Sequence, residues 1–113
     1  MEPRLSSSVL VSALMRQAEA DGGFATVIAR GDSDAGSVLV ILSERGRKAR
    51  FLERILQPDG RYRWQETGPQ TAANDEEAAN FLGRKRRFDP DLWVLELDIA
   101  SAERFADEMN SFD

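Results

Sequence analysis

The chain has 113 residues, 15 basic and 20 acidic side chains, a formal charge of −5, and neither histidine nor cysteine. Without a thiolate or an imidazole there is no disulfide, no cysteine nucleophile, no serine–histidine triad and no histidine or thiolate metal ligand. A metal site in this chain would be all-oxygen.

The length suits one domain over residues 1–113, since single cores commonly hold about 100–150 residues. Hydrophobic content of 42% against 31% charged fits a folded domain, not a disordered tail. The longest apolar run, Val38–Leu42, is too short to span a bilayer. Met1-Glu2-Pro3-Arg4 lacks the order of a signal peptide, and cytoplasm is the expected location. Net acidity disfavours bulk binding to polyanions or anionic membranes. The charge is unevenly spread, however. Arg45–Arg63 holds seven bases and two acids, a local +5, while Asp89–Asp113 holds eight acids and one base, a local −7. These stretches can attract each other within the fold, or form two faces shown to different partners.

The first predicted element is a helix over Ser6–Ala20. Serines offer N-caps, Leu10, Ala13, Leu14 and Ala18 fall on one stripe, and Gly22-Gly23 stops it. Phe24–Ala29 and Val38–Leu42 read as strands, the second apolar on both faces and therefore central. Gly31–Gly36 between them is turn-rich and predicts a hairpin connection. Arg50–Gln57 and Arg61–Glu66 flank Pro58-Asp59-Gly60, the firmest hairpin signal in the chain. Pairing Gln57 with Arg61 sets Arg54 opposite Trp64 and Leu56 opposite Tyr62, predicting an Arg54–Trp64 cation–π contact.

After Thr67–Ala73, Asn74 is a helix cap with Glu77 at the reciprocal capping-box position, and Ala78, Phe81 and Leu82 make the buried stripe. Phe88-Asp89-Pro90-Asp91 breaks this helix. Leu92–Asp98 predicts a strand with Trp93, Leu95 and Leu97 inward and Val94, Glu96 and Asp98 outward. Ser101–Phe112 closes as an amphipathic helix facing inward through Ala102, Phe105, Ala106, Met109 and Phe112. The order α-β-β-β-β-α-β-α lacks strict βα alternation. It predicts an α+β fold: a mostly antiparallel five-stranded sheet with helices on one face.

Several segments together carry a likeness: Arg30–Val40, Pro58-Asp59-Gly60 and Arg87–Val94, with Val11–Leu14 and Gly22–Ala25. They resemble a small bacterial family of uncharacterised proteins, domain-of-unknown-function family 1491. The likeness spans nearly the whole chain and is weakest over Thr67–Asn80. It implies a bacterial, single-domain protein with no assigned activity, and it carries over no cofactor and no functional residues.

Four constellations bear on chemistry. Asp32 and Asp34, in a glycine-bounded loop, can converge on a hard cation; the same residues build Asx-turns, which is the favoured reading. Arg84-Lys85-Arg86-Arg87 is either a phosphate or nucleic-acid patch, or a helix end whose bases complement the dipole against Asp75-Glu76-Glu77. Asp89 and Asp91 can pair with those bases. Phe88 and Trp93 bracket the Asp89-Pro90-Asp91 turn, as a ligand-binding edge or as core anchors. In the hairpin, Tyr62 and Trp64 alternate with Arg61 and Arg63. Opposite faces then receive the aromatics and the arginines, which argues against one stacking groove for RNA.

No phosphate loop, dinucleotide fingerprint or nucleophile elbow is present. The reading that follows is a non-enzymatic protein-interaction module without cofactor or membrane anchor, docking a second copy or another protein. Its candidate contact residues are Arg54, Arg61, Arg63, Trp64, Arg84, Arg86, Arg87, Asp89 and Asp91. The alternatives are an RNA-binding module using the hairpin and Arg84–Arg87, and a carboxylate- or metal-dependent hydrolase at Asp32 and Asp34.

Overall fold

The apolar run forms the middle of strand β2 (Val38–Glu44), whose side chains are buried on both faces. The structure is a computed structural model that describes residues 5–68 and 75–111. Helix α1 (Ser7–Ala20) leads into β1 (Phe24–Ala29), and β2, β3 (Arg47–Leu56) and β4 (Tyr62–Glu66) follow. Helix α2 (Asp75–Phe88), β5 (Trp93–Asp98) and α3 (Ala102–Ser111) complete the order. The fold is α+β, as expected. Its single five-stranded sheet runs β1-β5-β2-β3-β4, antiparallel except where β5 lies parallel to β2.

The β1–β2 connection is not a hairpin. Strand β5 inserts between them, pairing antiparallel with β1 (Phe24 with Asp98) and parallel with β2 (Val38 with Trp93). A strand buried on both faces is stable between two neighbours, and β5 supplies the second neighbour for β2. Residues 30–37 are therefore a crossover that must pass the start of β5. Asp32 N–H donates to the Asp91 carbonyl (3.0 Å), and Trp93 Nε1 donates to the Asp32 carbonyl (2.7 Å). A Cβ on Gly31 or Gly36 would collide with the Asp91 carbonyl oxygen. Helix α1 holds the other side of this loop. Ser7 Oγ donates to the Gly36 carbonyl (2.5 Å), while the Ser7 and Ser8 amides donate to the Asp34 and Ser33 carbonyls.

Two cores flank the sheet. The larger joins α1 and α3 to Val38, Val40, Leu42, Leu52, Trp64, Trp93, Leu95 and Leu97. The smaller joins Ala78, Phe81 and Leu82 of α2 to Leu39, Ile41, Phe51 and Val94 on the opposite face. Helices thus cover both faces, not one. The cause is the second apolar row, which leaves Leu39, Ile41 and Val94 needing cover of their own. For the same reason Val94 is fully buried rather than outward. Ion pairs from Lys48 to Asp75 (3.6 Å) and Lys85 to Glu53 (2.5 Å) lay α2 along β3 in the same direction.

Local expectations fared well. Helix α1 starts after N-cap Ser6, whose side chain accepts from Val9 N–H. Its buried stripe is Ser7, Val11, Leu14 and Ala18, so Leu10 is only half-buried and Ala13 is exposed. The β3–β4 register matches the expectation, with Gln57 N–H donating to the Arg61 carbonyl and Arg54 opposite Trp64. Strand β3 begins at Arg47, earlier than expected, because Arg45 and Gly46 take positive φ (53° and 81°) in a tight turn. The Asp98 carboxylate accepts from both of their amides (3.0 and 2.8 Å). In α3, Ala102, Phe105, Ala106 and Met109 face the core as expected, and Glu44 caps its first amide at Ala102 (2.6 Å). The Asn74 cap and Phe112 lie outside the described residues.

Leu95→Ala removes a fully buried side chain at the parallel pair and should cost about 2–5 kcal/mol of stability in urea unfolding. A loss below about 1 kcal/mol would contradict this core. Two glycines should respond oppositely. Gly36→Ala meets backbone and should destabilise by about 1–3 kcal/mol. Gly83→Ala, exposed in α2 with open space around it, should stabilise by about 0.5–1 kcal/mol. Thermal melts of both variants against wild type check the pair.

Candidate functional site

Alternation along β4 decides where its charges go. Trp64 is buried in the α1/α3 core, so Arg63 projects to the α2 side, where it pairs across with Ile55. Arg61, just before the strand, keeps the same alternation. Helix α2 presents Arg84, Arg86 and Arg87, all exposed, on that same side of the sheet. Arg84 lies on the flank towards β4, bordering a hollow with Gly68, Glu77, Asn80 and Phe81. Two basic segments far apart in sequence therefore share one face. Among the described residues, Arg61, Arg63, Arg84, Arg86 and Arg87 form no ion pair. Lys85 differs: it is half-buried against Glu53 and anchors the helix. Phe88, 89% exposed at the end of α2, adds an apolar element to this surface. The core-anchor expectation holds for Trp93 and fails for Phe88. Nothing in its local sequence separates Phe88 from a core aromatic; only the end of α2 beyond the sheet does.

The opposite face carries mixed charge with an acidic excess on α3. Glu103 and Asp107 are exposed there beside Arg104, and Glu19 and Asp21 are exposed at the end of α1 beyond the exposed Arg16. Other acids of the C-terminal stretch work inside the fold. Glu96 accepts from the buried Ser43 hydroxyl (2.7 Å), and Asp98 holds the β2–β3 turn. No ion pair joins the basic stretch to this acidic stretch among the described residues. Lys48 and Arg50 pair instead with Asp75 and Glu66. The arginines of the hairpin tip and of the end of α2 thus lie across the sheet from the exposed acids of α3, although each face holds charges of both signs.

The remaining expected contact residues go elsewhere. Arg54 and Trp64 lie on the α1/α3 side, in a groove of about 340 Å³ with Leu5, Leu10, Leu14 and Met109. The Arg54 guanidinium sits over the Tyr62 ring (4.2 Å to its centre), so its ring contact runs to Tyr62, the diagonal neighbour, not to Trp64 as expected. Asp89 Oδ1 accepts from Asp91 N–H (3.2 Å), and no ion pair links Asp89 or Asp91 to Arg84–Arg87 among the described residues. Both are turn-builders at the crossover. Asp32 Oδ2 accepts from Asp34 N–H (3.2 Å) and Ala35 N–H (2.8 Å), an Asx-turn that directs the carboxylate onto backbone. Asp34 supplies its carbonyl to α1. Among the described residues no three acidic side chains converge as a cation site. None of their helices is long and apolar enough to cross a membrane.

No curated protein matches the chain. Solved structures do. A crystal structure of a DUF1491 family protein from Caulobacter crescentus CB15 shares 34% identity and a TM-score of 0.79, over 90% of this chain and 94% of that one. An NMR structure of a DUF1491 family protein from the same organism shares 34% identity and a TM-score of 0.78, over 92% and 94%. A solution structure of a protein from A. tumefaciens shares 33% identity and a TM-score of 0.75, over 91% and 92%. The family model described as "Protein of unknown function (DUF1491)" matches residues 5–107, and the chain belongs to that family.

Proposed function

We propose that the protein is a non-enzymatic interaction module that docks an acidic protein surface on its α2/β4 face. One observation carries this reading: Arg61 and Arg63 share a face with Arg84, Arg86 and Arg87, and none is neutralised by an ion pair among the described residues. Exposed like charges kept together repel one another, and an acidic partner relieves that repulsion. The acidic excess of α3 across the sheet repels the same partner and so favours this side of approach. Phe88 supplies apolar area next to the charges, the combination of anchor and rim that stable docking uses.

A second reading, binding of single-stranded RNA, is favoured by the same Phe88 lying beside arginines, where a base could stack. It loses Trp64, which is only 5% exposed and faces the other way.

The double variant Arg61→Glu/Arg63→Glu separates these readings from a purely structural role. Both sites are exposed, so the melting curve should stay within about 0.5 kcal/mol of wild type. Affinity capture from nuclease-treated lysate of the source organism should recover a protein partner with wild type. The double variant should lose it, with association slowed about tenfold in a purified pair. Recovery that requires intact RNA would favour the second reading. Recovery unaffected by the charge reversal would defeat both.

A further inference from the structure

The sheet has two edges, and they are finished differently. At β4 the outer edge is closed by a side chain. Trp64 N–H donates to Asn110 Oδ1 (2.8 Å), and Asn110 Nδ2 donates back to the Trp64 carbonyl (3.2 Å). The amide of Asn110 thus occupies the backbone groups where a neighbouring strand would pair. Charges at Arg61, Arg63 and Glu66 guard the same edge. Strand β1, Phe24-Ala25-Thr26-Val27-Ile28-Ala29, has none of this. It carries no charge and no proline. Among the described residues, no hydrogen bond from outside the sheet reaches its backbone. Its two large side chains stand in solvent, Phe24 at 74% and Ile28 at 45% exposure. Its bulge falls on Ile28, which has no partner on β5, and leaves the first four residues regular. An unguarded apolar edge is a template for one more strand.

We infer that β1 pairs antiparallel with β1 of a second copy, joining two sheets across a two-fold axis at Thr26. Three features select a second copy as the occupant. Directly opposite residues of an antiparallel pair share a face, so a two-fold must set one residue against itself. Thr26 is midway between Phe24 and Ile28. An axis there lays Phe24 beside the partner's Ile28 at both ends, covering the two exposed side chains together. Identical strands do not repel, because β1 is uncharged. Beyond the strand, Asp21 lies at one end and Arg30 at the other, so antiparallel pairing brings Asp21 towards the partner's Arg30, twice. With Asn110 closing the β4 edge, growth stops at two copies instead of continuing as a fibre.

The absence of cysteine makes a clean test, since Thr26→Cys would be the sole thiol in the chain. Across such a pair the two Cα atoms are about 4.5–5.5 Å apart, within disulfide range. Wild-type protein should sediment at twice the chain mass, and Phe24→Lys at the mass of one chain with an unchanged circular dichroism spectrum. Mild oxidation should link the Thr26→Cys variant into a covalent dimer, while Val9→Cys, exposed on α1, stays unlinked. If Phe24→Lys misfolds, Ile28→Lys gives the same reading from the other end of the strand. Wild type at single-chain mass over a wide concentration range would overturn the proposal. So would a dimer that survives Phe24→Lys, or Val9→Cys linking as fast as Thr26→Cys.

Discussion

The parallel pairing of β2 with β5 is the constraint on which the rest of this fold depends. Each contributes side chains buried on both faces, from Val38 beside Trp93 to Leu42 beside Leu97. Neither could sit at an edge without exposing a row of Val, Ile and Leu, each worth about 1.5–3 kcal/mol when buried. So each takes two neighbours, and β5 must enter between strands that are consecutive in the chain. The segment from β1 to β2 then becomes a crossover held against the start of β5. The two edges fall to β1 and β4. Because both faces of the central pair are apolar, both need helices, and α2 separates from α1 and α3. Helix placement, edge identity and the position of the Asp32–Gly36 loop all follow from that one pairing.

Those consequences reach the surface. Had all helices packed on one face, Arg84–Arg87 would lie across the sheet from Arg61 and Arg63, among the acids of α3. The second core brings the two basic groups to one side, together with the acids that open α2, and leaves the acids of α3 on the other. A net charge of −5 on 113 residues then describes neither side. The α2/β4 face carries five arginines without an ion pair among its described residues, with the exposed acids of the first turn of α2, and the α1/α3 face carries Glu19, Asp21, Glu103 and Asp107 exposed beside Arg16 and Arg104.

What could be read from sequence was local. The element order and the β3–β4 register were legible, because Pro58-Asp59-Gly60 ties residues that are close along the chain. The stripes of α2 and α3 were legible from helical spacing, since Ala78, Phe81 and Leu82, or Phe105 and Met109, fall on one side by geometry alone. The pairing of β5 was not. Parallel pairing joins residues some fifty positions apart, as Val40 with Leu95, and no turn chemistry announces it. The same glycines and aspartates serve a hairpin loop and a tight crossover equally well, which is why Gly31–Gly36 looked like a hairpin. Arg54 shows a finer limit. Its opposite neighbour was correctly Trp64, but a long side chain can reach the diagonal ring, and Tyr62 took it.

The segments that carry the family likeness can now be given physical jobs. Gly31 and Gly36 are glycines because the Asp91 carbonyl occupies the space a Cβ would need. Asp32 folds its loop by accepting two amides, and Trp93 is pinned by the Asp32 carbonyl while its ring lies under Arg30 (5.6 Å). Asp89 shapes the turn before β5. These residues build the crossover that the central pairing demands, so the likeness over Arg30–Val40 and Arg87–Val94 marks a way of folding. Polar atoms of Asp32, Asp89 and Trp93 are bonded within the crossover. Groups with unused bonding capacity lie mostly elsewhere: the guanidinium groups of Arg61, Arg63, Arg84 and Arg86, and the outer edge of β1. In each of the crossover turns one carboxylate oxygen is committed to backbone amides, Oδ2 of Asp32 and Oδ1 of Asp89. Arg61, Arg63, Arg84 and Arg86 form no ion pair among the described residues, so the docking proposed for the α2/β4 face would break no contact that builds the crossover.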